Sequence, residues 1–291
     1  MQKSSASSIQ PCPLKHTQLE FSKPLVMGIV NVTPDSFSDG GEFIQPEIAT
    51  QQSLQLVKDG ADILDIGGES TRPGSKPVGA EEELRRVIPI IKALAENGVS
   101  VPISIDTSKA QVAARALEAG ASIINDVTAL GDPDMAEVAA HFDSGLILMH
   151  MRGLPKTMQS APITYTNLIG EIRKHLQDAT QKACNAGVAE NKIILDPGIG
   201  FGKECAHNLE ITNRLEEIRF AKRPILYGPS RKRFLGAITN KEAKDRDAAT
   251  AASCVAAILH GADILRVHRV SAVIDALAVA SALRQQTSLD A

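Results

Sequence analysis

The chain has 291 residues, 43% hydrophobic and 22% charged, which excludes wholesale disorder and suits one large α/β barrel or two smaller domains. A net charge of −3 and a pI near 6.2 remove any electrostatic case for nucleic acid or an anionic membrane. With no Trp and only 2 Tyr there is no base-stacking surface either. The cysteines, Cys12, Cys184, Cys205 and Cys254, lack Cys-x-x-Cys spacing and are expected to be reduced thiols of a cytoplasmic protein.

The first thirteen residues are polar and Ser-rich, without the apolar core of a signal peptide, and residues 1–20 are expected to be a loose, flexible segment. Eight short apolar runs follow, beginning near Leu25, Asp62, Val101, Ser122, Gly145, Lys192, Pro224 and Asp263. Their length and β-branched content predict strands. After the second run, Leu84, Val87, Ile88, Ile91 and Leu94 recur at helical steps behind an acidic first turn, Glu81–Glu83, which complements the helix dipole. Pro89 predicts a kink or break in that helix. Further helices are predicted over Ala110–Leu117, Leu168–Cys184, Ala248–Leu259 and Val273–Leu283, several ending at a glycine such as Gly120 or Gly187. The intervals between the third, fourth and fifth runs are short and predict small helices. Ala248–Leu259 is the most membrane-like stretch, yet too short and too rich in Ala, Thr and Ser to span a bilayer.

Strands alternating with helices predict a single-domain (β/α)8 TIM barrel over residues 21–291. A doubly wound open sheet is the competing architecture, but eight units without a break in composition favour closure. In such a barrel the chemistry sits at the C-terminal strand ends. In order these hold Asn31, Asp65, Asp106, Asn125-Asp126, Met149-His150, Asp196, Ser230-Arg-Lys232 and Arg266-Val-His268-Arg269. One polar strand end is an ordinary turn; a full ring of them points to one shared cavity.

The ring carries two chemistries. Asp106, Asn125 and Asp196 offer acceptors and an amide fork for an edge rich in N–H donors. Arg72, Lys232, Arg266 and His268 suit an anion, with arginine the natural bidentate reader of phosphate. Asn31, with no carboxylate cluster beside it, could hold Mg²⁺ mainly through substrate phosphates and water. His150, flanked by Met149 and Met151, reads as a packed core histidine. The loops Thr33–Gly41 and Ser70–Gly74 mix turn formers with hinge glycines, as lids over a barrel mouth do.

The densest stretch is Ile193–Lys203, where a short strand ends at Asp196 and a turn with glycines at 198, 200 and 202 surrounds Phe201. Its spacing matches neither the dinucleotide fingerprint nor the Walker loop. The glycines are expected to bring backbone close to a ligand, and the acid, the flat ring and Lys203 suit a planar polar heterocycle.

Taken together the chain resembles the dihydropteroate synthases. The matching segments are Gly28–Gly41, Asp65–Gly74, Ser104–Thr107, Ile124–Asp126, Met149–Met151, Asp196–Lys203, Ser230–Phe234 and Arg266–His268, all at predicted strand ends and in order. The resemblance implies transfer of the dihydropterin-methyl group from its diphosphate to 4-aminobenzoate, with Mg²⁺, by a homodimer. It places the pterin on Asp106, Asn125, Met149, Asp196 and Lys232, with Asp196, Lys232 and Asp106 catalytic. It places diphosphate and metal on Asn31, Thr71, Arg72, Arg266 and His268. Phe37, Asp39, Pro73, Phe201 and Ser230 would shape the 4-aminobenzoate pocket.

Departure of diphosphate leaves positive charge on the pterin methylene, which a fixed carboxylate such as Asp196 would stabilise as it develops. The amine acceptor is neutral at pH 7 and needs no strong base. Arg269 departs from the family's usual Asp and puts the orientation of His268 in question. Two other readings stand beside the synthase: a folate-dependent methyltransferase domain, disfavoured by the cationic diphosphate set, and a non-catalytic pterin-binding paralogue. Val273–Leu283, apolar nearly all round, is expected to lie in a dimer interface.

Overall fold

A computed structural model describes residues 9–33, 46–70, 77–153 and 163–285. Phe37, Asp39, Thr71, Arg72 and Pro73, and with them most of both predicted lid loops, lie outside the described residues. Of the segment expected to be loose, the described part from residue 9 onward holds a small antiparallel hairpin, β1 (Cys12–Pro13) and β2 (Gln18–Leu19). The predicted strands follow as β3 (Leu25–Asn31), β4 (Ile63–Gly67), β5 (Ile103–Asp106), β6 (Ile123–Asp126), β7 (Gly145–Met149), β8 (Ile193–Asp196), β9 (Leu226–Tyr227) and β10 (Ile264–Val267). All eight are parallel, in the order β8-β7-β6-β5-β4-β3-β10-β9. A parallel bridge between Leu195 and Ile225, with Leu195 N–H donating to Pro224 O at 2.9 Å, joins the two ends. This is the closed (β/α)8 barrel, not the open sheet.

The helices are α1 (Pro46–Lys58), α2 (Ala80–Glu96), α3 (Ala110–Ala119), α4 (Met135–His141), α5 (Leu168–Asn185), α6 (Cys205–Asn213), α7 (Leu215–Ile218), α8 (Arg233–Thr239), α9 (Asp247–Leu259) and α10 (Ile274–Gln285). The helices between β5, β6 and β7 are short, as their intervals require. Pro89 does not break α2, which runs through it uninterrupted. Pro89 and Arg85, whose carbonyl loses its helical donor, both lie on the exposed face, so water can satisfy that carbonyl. Among the described residues no helix is long and apolar enough to cross a membrane, and all four cysteines are free.

Strand alternation sorts the interior into layers. Met27, Ile63, Ile123, Ile147, Ile194, Leu226 and Ile264 form one apolar cluster inside the barrel. The hairpin closes its bottom, since Cys12, Leu14 and Leu19 are buried in that same cluster with Phe21 against it. A short segment holding three buried apolar side chains has a reason to be ordered. Two residues further along β4, β6, β8 and β10, on the same face, the interior turns polar with Asp65, Asn125, Asp196 and Arg266, and Asp106 joins them at the end of β5.

Candidate active site

The polar layer opens on a cleft at the C-terminal ends of the strands. Asp106, Asn125, Met149, Asp196, Lys232 and Arg266 line it, with Phe201 on one side. Asp126 is not among them. One residue past Asn125 it faces outward, and its carboxylate accepts from Thr128 N–H at 2.8 Å and from Thr128 Oγ1 and Leu130 N–H at 2.6 Å each.

Two buried clusters organise the cleft. In the first, Arg266 donates through Nε to Asp65 Oδ2 at 2.6 Å and through a terminal nitrogen to Asp106 Oδ2 at 2.5 Å. Asn125 Nδ2 donates to the same Asp65 oxygen at 3.1 Å. Burial pushes the Asp106 carboxyl up to about 7, with Arg266 opposing and Asp65 reinforcing. Burial alone would lower Arg266; the Asp65 and Asp106 carboxylates outweigh it and hold the guanidinium charged.

The second cluster is built on the glycine turn. Asp196 Oδ1 accepts from Gly198 N–H at 2.7 Å. Burial raises Asp196 to about 6, restrained by that N–H and by Lys232, Arg266 and Lys203. Gly198 has φ +68°, and a Cβ there would sit 1.9 Å from His150 O. A Cβ at Gly202 would sit 2.4 Å from Arg152 O. The close approach that these two glycines permit is to the chain's own backbone after β7, a correction to the expected approach to ligand. Lys203 then ties the turn down, donating to Phe201 O at 3.0 Å and to His150 O at 3.3 Å, with His150 Nδ1 at 3.0 Å. His150 is buried and held neutral, its pKa lowered to about 2 by burial and Lys203, so it packs as expected. Burial lowers Lys203 to about 7.

Lys232 caps α8 and places Nζ 3.9 Å from the centre of the Phe201 ring, a cation–π contact across the cleft. Arg246 holds the approach to it, donating to Arg231 O at 3.0 Å and Lys232 O at 3.3 Å. Ser230 Oγ accepts from His268 N–H at 3.2 Å and lies 2.9 Å from His268 Nδ1. Either atom of that pair can donate; in the tautomer where the hydroxyl donates to Nδ1, the imidazole proton is on Nε2 and can serve an anion. Ser230 therefore supplies the orientation that Arg269 put in question. Arg269 itself is exposed and pairs with Asp247 at 3.2 Å.

Asn31 ends β3 half-buried on its interior register. Among the described residues no three His, Cys, Asp or Glu side chains gather as a metal cage. A neutral amide oxygen at the rim fits Mg²⁺ held chiefly by a substrate's phosphates and water.

Asp65 carried no role in the sequence reading, although it sits two residues past Ile63 and so on the interior face; Val127, Ile199 and Gly228 also line the cleft unforeseen. The strand alternation carried the signal for Asp65. Lys203 was visible in the glycine stretch but not as a tether.

Barrel, apolar floor, polar ring and a flat cleft between cation and carboxylate define an enzyme that holds a planar N–H-rich heterocycle. Residues 27–268 match the family model described as pterin binding enzyme. Dihydropteroate synthase of Synechocystis is 47% identical over 94% of this chain and 95% of its own length. The crystal structure of the Yersinia pestis dihydropteroate synthase with a sulfonamide drug complex superposes with a TM-score of 0.90 at 42% identity, covering 94% of this chain and 99% of that one. That of Xanthomonas albilineans dihydropteroate synthase with 4-aminobenzoic acid gives 0.89 at 41%, covering 97% and 100%. The chain belongs to the pterin-binding enzymes and, within them, to the dihydropteroate synthase family.

Proposed function

We infer that the chain transfers the dihydropterin-6-ylmethyl group from its diphosphate to the amine of 4-aminobenzoate, releasing diphosphate. The observation that carries this is the single cleft in which Asp106, Asn125, Asp196, Lys232 and Arg266 converge above an apolar floor.

The proposed mechanism is dissociative. The acceptors Asp196 and Asn125 read the ring's N–H edge, Met149 packs against its face and Lys232 donates to its acceptor atoms. As the C–O bond to diphosphate breaks, positive charge grows on the methylene and spreads into the ring, where the Asp196 carboxylate stabilises it. A fixed carboxylate in a buried site is worth more than one in water, because no solvent reorganises around it. Asp106 keeps Arg266 charged beside the departing anion. Thr71, Arg72, Arg266 and His268 are assigned to the diphosphate. Mg²⁺, when bound, neutralises diphosphate charge, and Asn31 would hold it. Phe37, Asp39, Pro73, Phe201 and Ser230 are assigned to the 4-aminobenzoate, whose neutral amine attacks without a general base.

We further propose a cytoplasmic homodimer through α9 and α10, where Leu259, Val279 and Leu283 are 48%, 62% and 61% exposed. The test of function is diphosphate release with and without 4-aminobenzoate. Release coupled to dihydropteroate formation, abolished in Asp196→Asn, supports the reading; ring binding without release overturns it.

A further inference from the structure

We propose that Asp65 is a positioning residue that sets the hydrogen-bonding polarity of the heterocycle slot, by fixing which end of the Asn125 amide faces the ring. The inference rests on the function proposed above.

Asp65 is fully buried on the interior register of β4, one level behind the cleft-lining residues. Its Oδ2 accepts from Arg266 Nε at 2.6 Å and Asn125 Nδ2 at 3.1 Å. A carboxylate only accepts, so the amide must turn its NH₂ toward Asp65. The oxygen, Asn125 Oδ1, is then left over: it is buried and has no hydrogen-bond partner among the described residues. A buried acceptor without a donor costs free energy that an N–H-bearing ligand recovers on binding. Asp65 thus selects rings that present a donor at this position and discriminates against rings that present an acceptor. The same oxygen orients Arg266, so one carboxylate couples ring recognition to the cation beside the leaving group.

An amide in place of Asp65 can donate as well as accept. The Asn125 side chain would then be free to turn over, and the slot would lose its fixed polarity. Exchanging the two side chains, Asp65→Asn together with Asn125→Asp, should restore it. The new amide at 65 would donate to the new carboxylate at 125, whose second oxygen would again offer an acceptor to the ring.

The experiment compares wild type, Asp65→Asn and the exchanged pair, by steady-state kinetics and by calorimetric binding of 6-hydroxymethyl-dihydropterin, which lacks the diphosphate. Asp65→Asn should weaken ring binding and raise KM for the pterin diphosphate about tenfold or more, as loss of a directed buried hydrogen bond does, leaving KM for 4-aminobenzoate within about twofold. The exchanged pair should recover most of the ring affinity. Wild-type ring affinity in Asp65→Asn, or an exchanged pair no tighter than that single variant, overturns the proposal. Should the variants fail to fold, NMR of the wild-type Asn125 NH₂ decides. Protection from hydrogen exchange before ligand is added supports the proposal, and protection gained only with ligand overturns it. Absence of turnover in wild type would instead strike the functional reading.

Discussion

At the residue scale the site is governed by carboxylates kept in a poor solvent. The proposed mechanism uses Asp196 as a charged carboxylate, yet burial raises its pKa to about 6. The free-enzyme profile of kcat/KM should therefore fall as pH drops from about 7 through about 6, as Asp106 and then Asp196 take up protons. The same shift has a cost in stability. A carboxyl whose folded pKa lies above its unfolded value stabilises the fold below the unfolded pKa, and that benefit is lost as pH rises through the folded one. Asp196→Asn removes the charge, keeps an acceptor for Gly198 N–H and should raise the melting temperature at pH 7.5, by about 1–3 kcal/mol of stability, while abolishing activity. A lower melting temperature would show that the charge is better paired than its burial implies. Arg266 bridges two buried carboxylates, whereas His268 is half-buried, with the neutral Ser230 hydroxyl 2.9 Å from its Nδ1. Arg266→Ala should thus cost more activity than His268→Ala; equal losses would contradict that order.

At the element scale the turn after β8 is a backbone constraint before it is a binding loop. Gly198→Ala would place a methyl group against His150 O with φ at +68°. It should destabilise the protein by more than about 2 kcal/mol in denaturant unfolding, through strain rather than lost contacts. The hairpin makes the converse case, being far from the chemistry and part of the core. Leu19→Ala should cost about 2–4 kcal/mol, with kcat unchanged. The strands of the barrel were legible in the sequence because each is a short aliphatic run at a regular interval. The hairpin was not, because strands of two residues carry no periodicity and their order comes from the apolar floor they cover. The break that Pro89 allowed in α2 is absent for a related reason, since a proline penalty depends on whether the freed carbonyl faces water, and only the packed helix decides that.

At the scale of the whole molecule, closure between β8 and β9 turns eight separate strand ends into one cavity. Residues as distant in sequence as Asp65 and Arg266 then share a hydrogen bond. The exposed apolar side chains of α9 and α10 give the proposed dimer its test. Val279→Glu with Leu283→Glu should convert a light-scattering mass of two chains into one, and a wild-type mass of one chain would refute the dimer.

By itself the sequence determined the barrel, the ring of polar strand ends and the pairing of an acceptor set with a cation set. Those follow from local periodicity and from residue type, which a linear chain displays. Only the tertiary structure decided which of two adjacent polar residues faces the cleft, as with Asn125 and Asp126, and that Asp65 lies behind the site. It also decided that Ser230 lies against His268 and that Gly198 and Gly202 answer to backbone. These depend on register and on what lies across the barrel, and neighbours brought together from opposite ends of a chain leave no mark on the sequence between them.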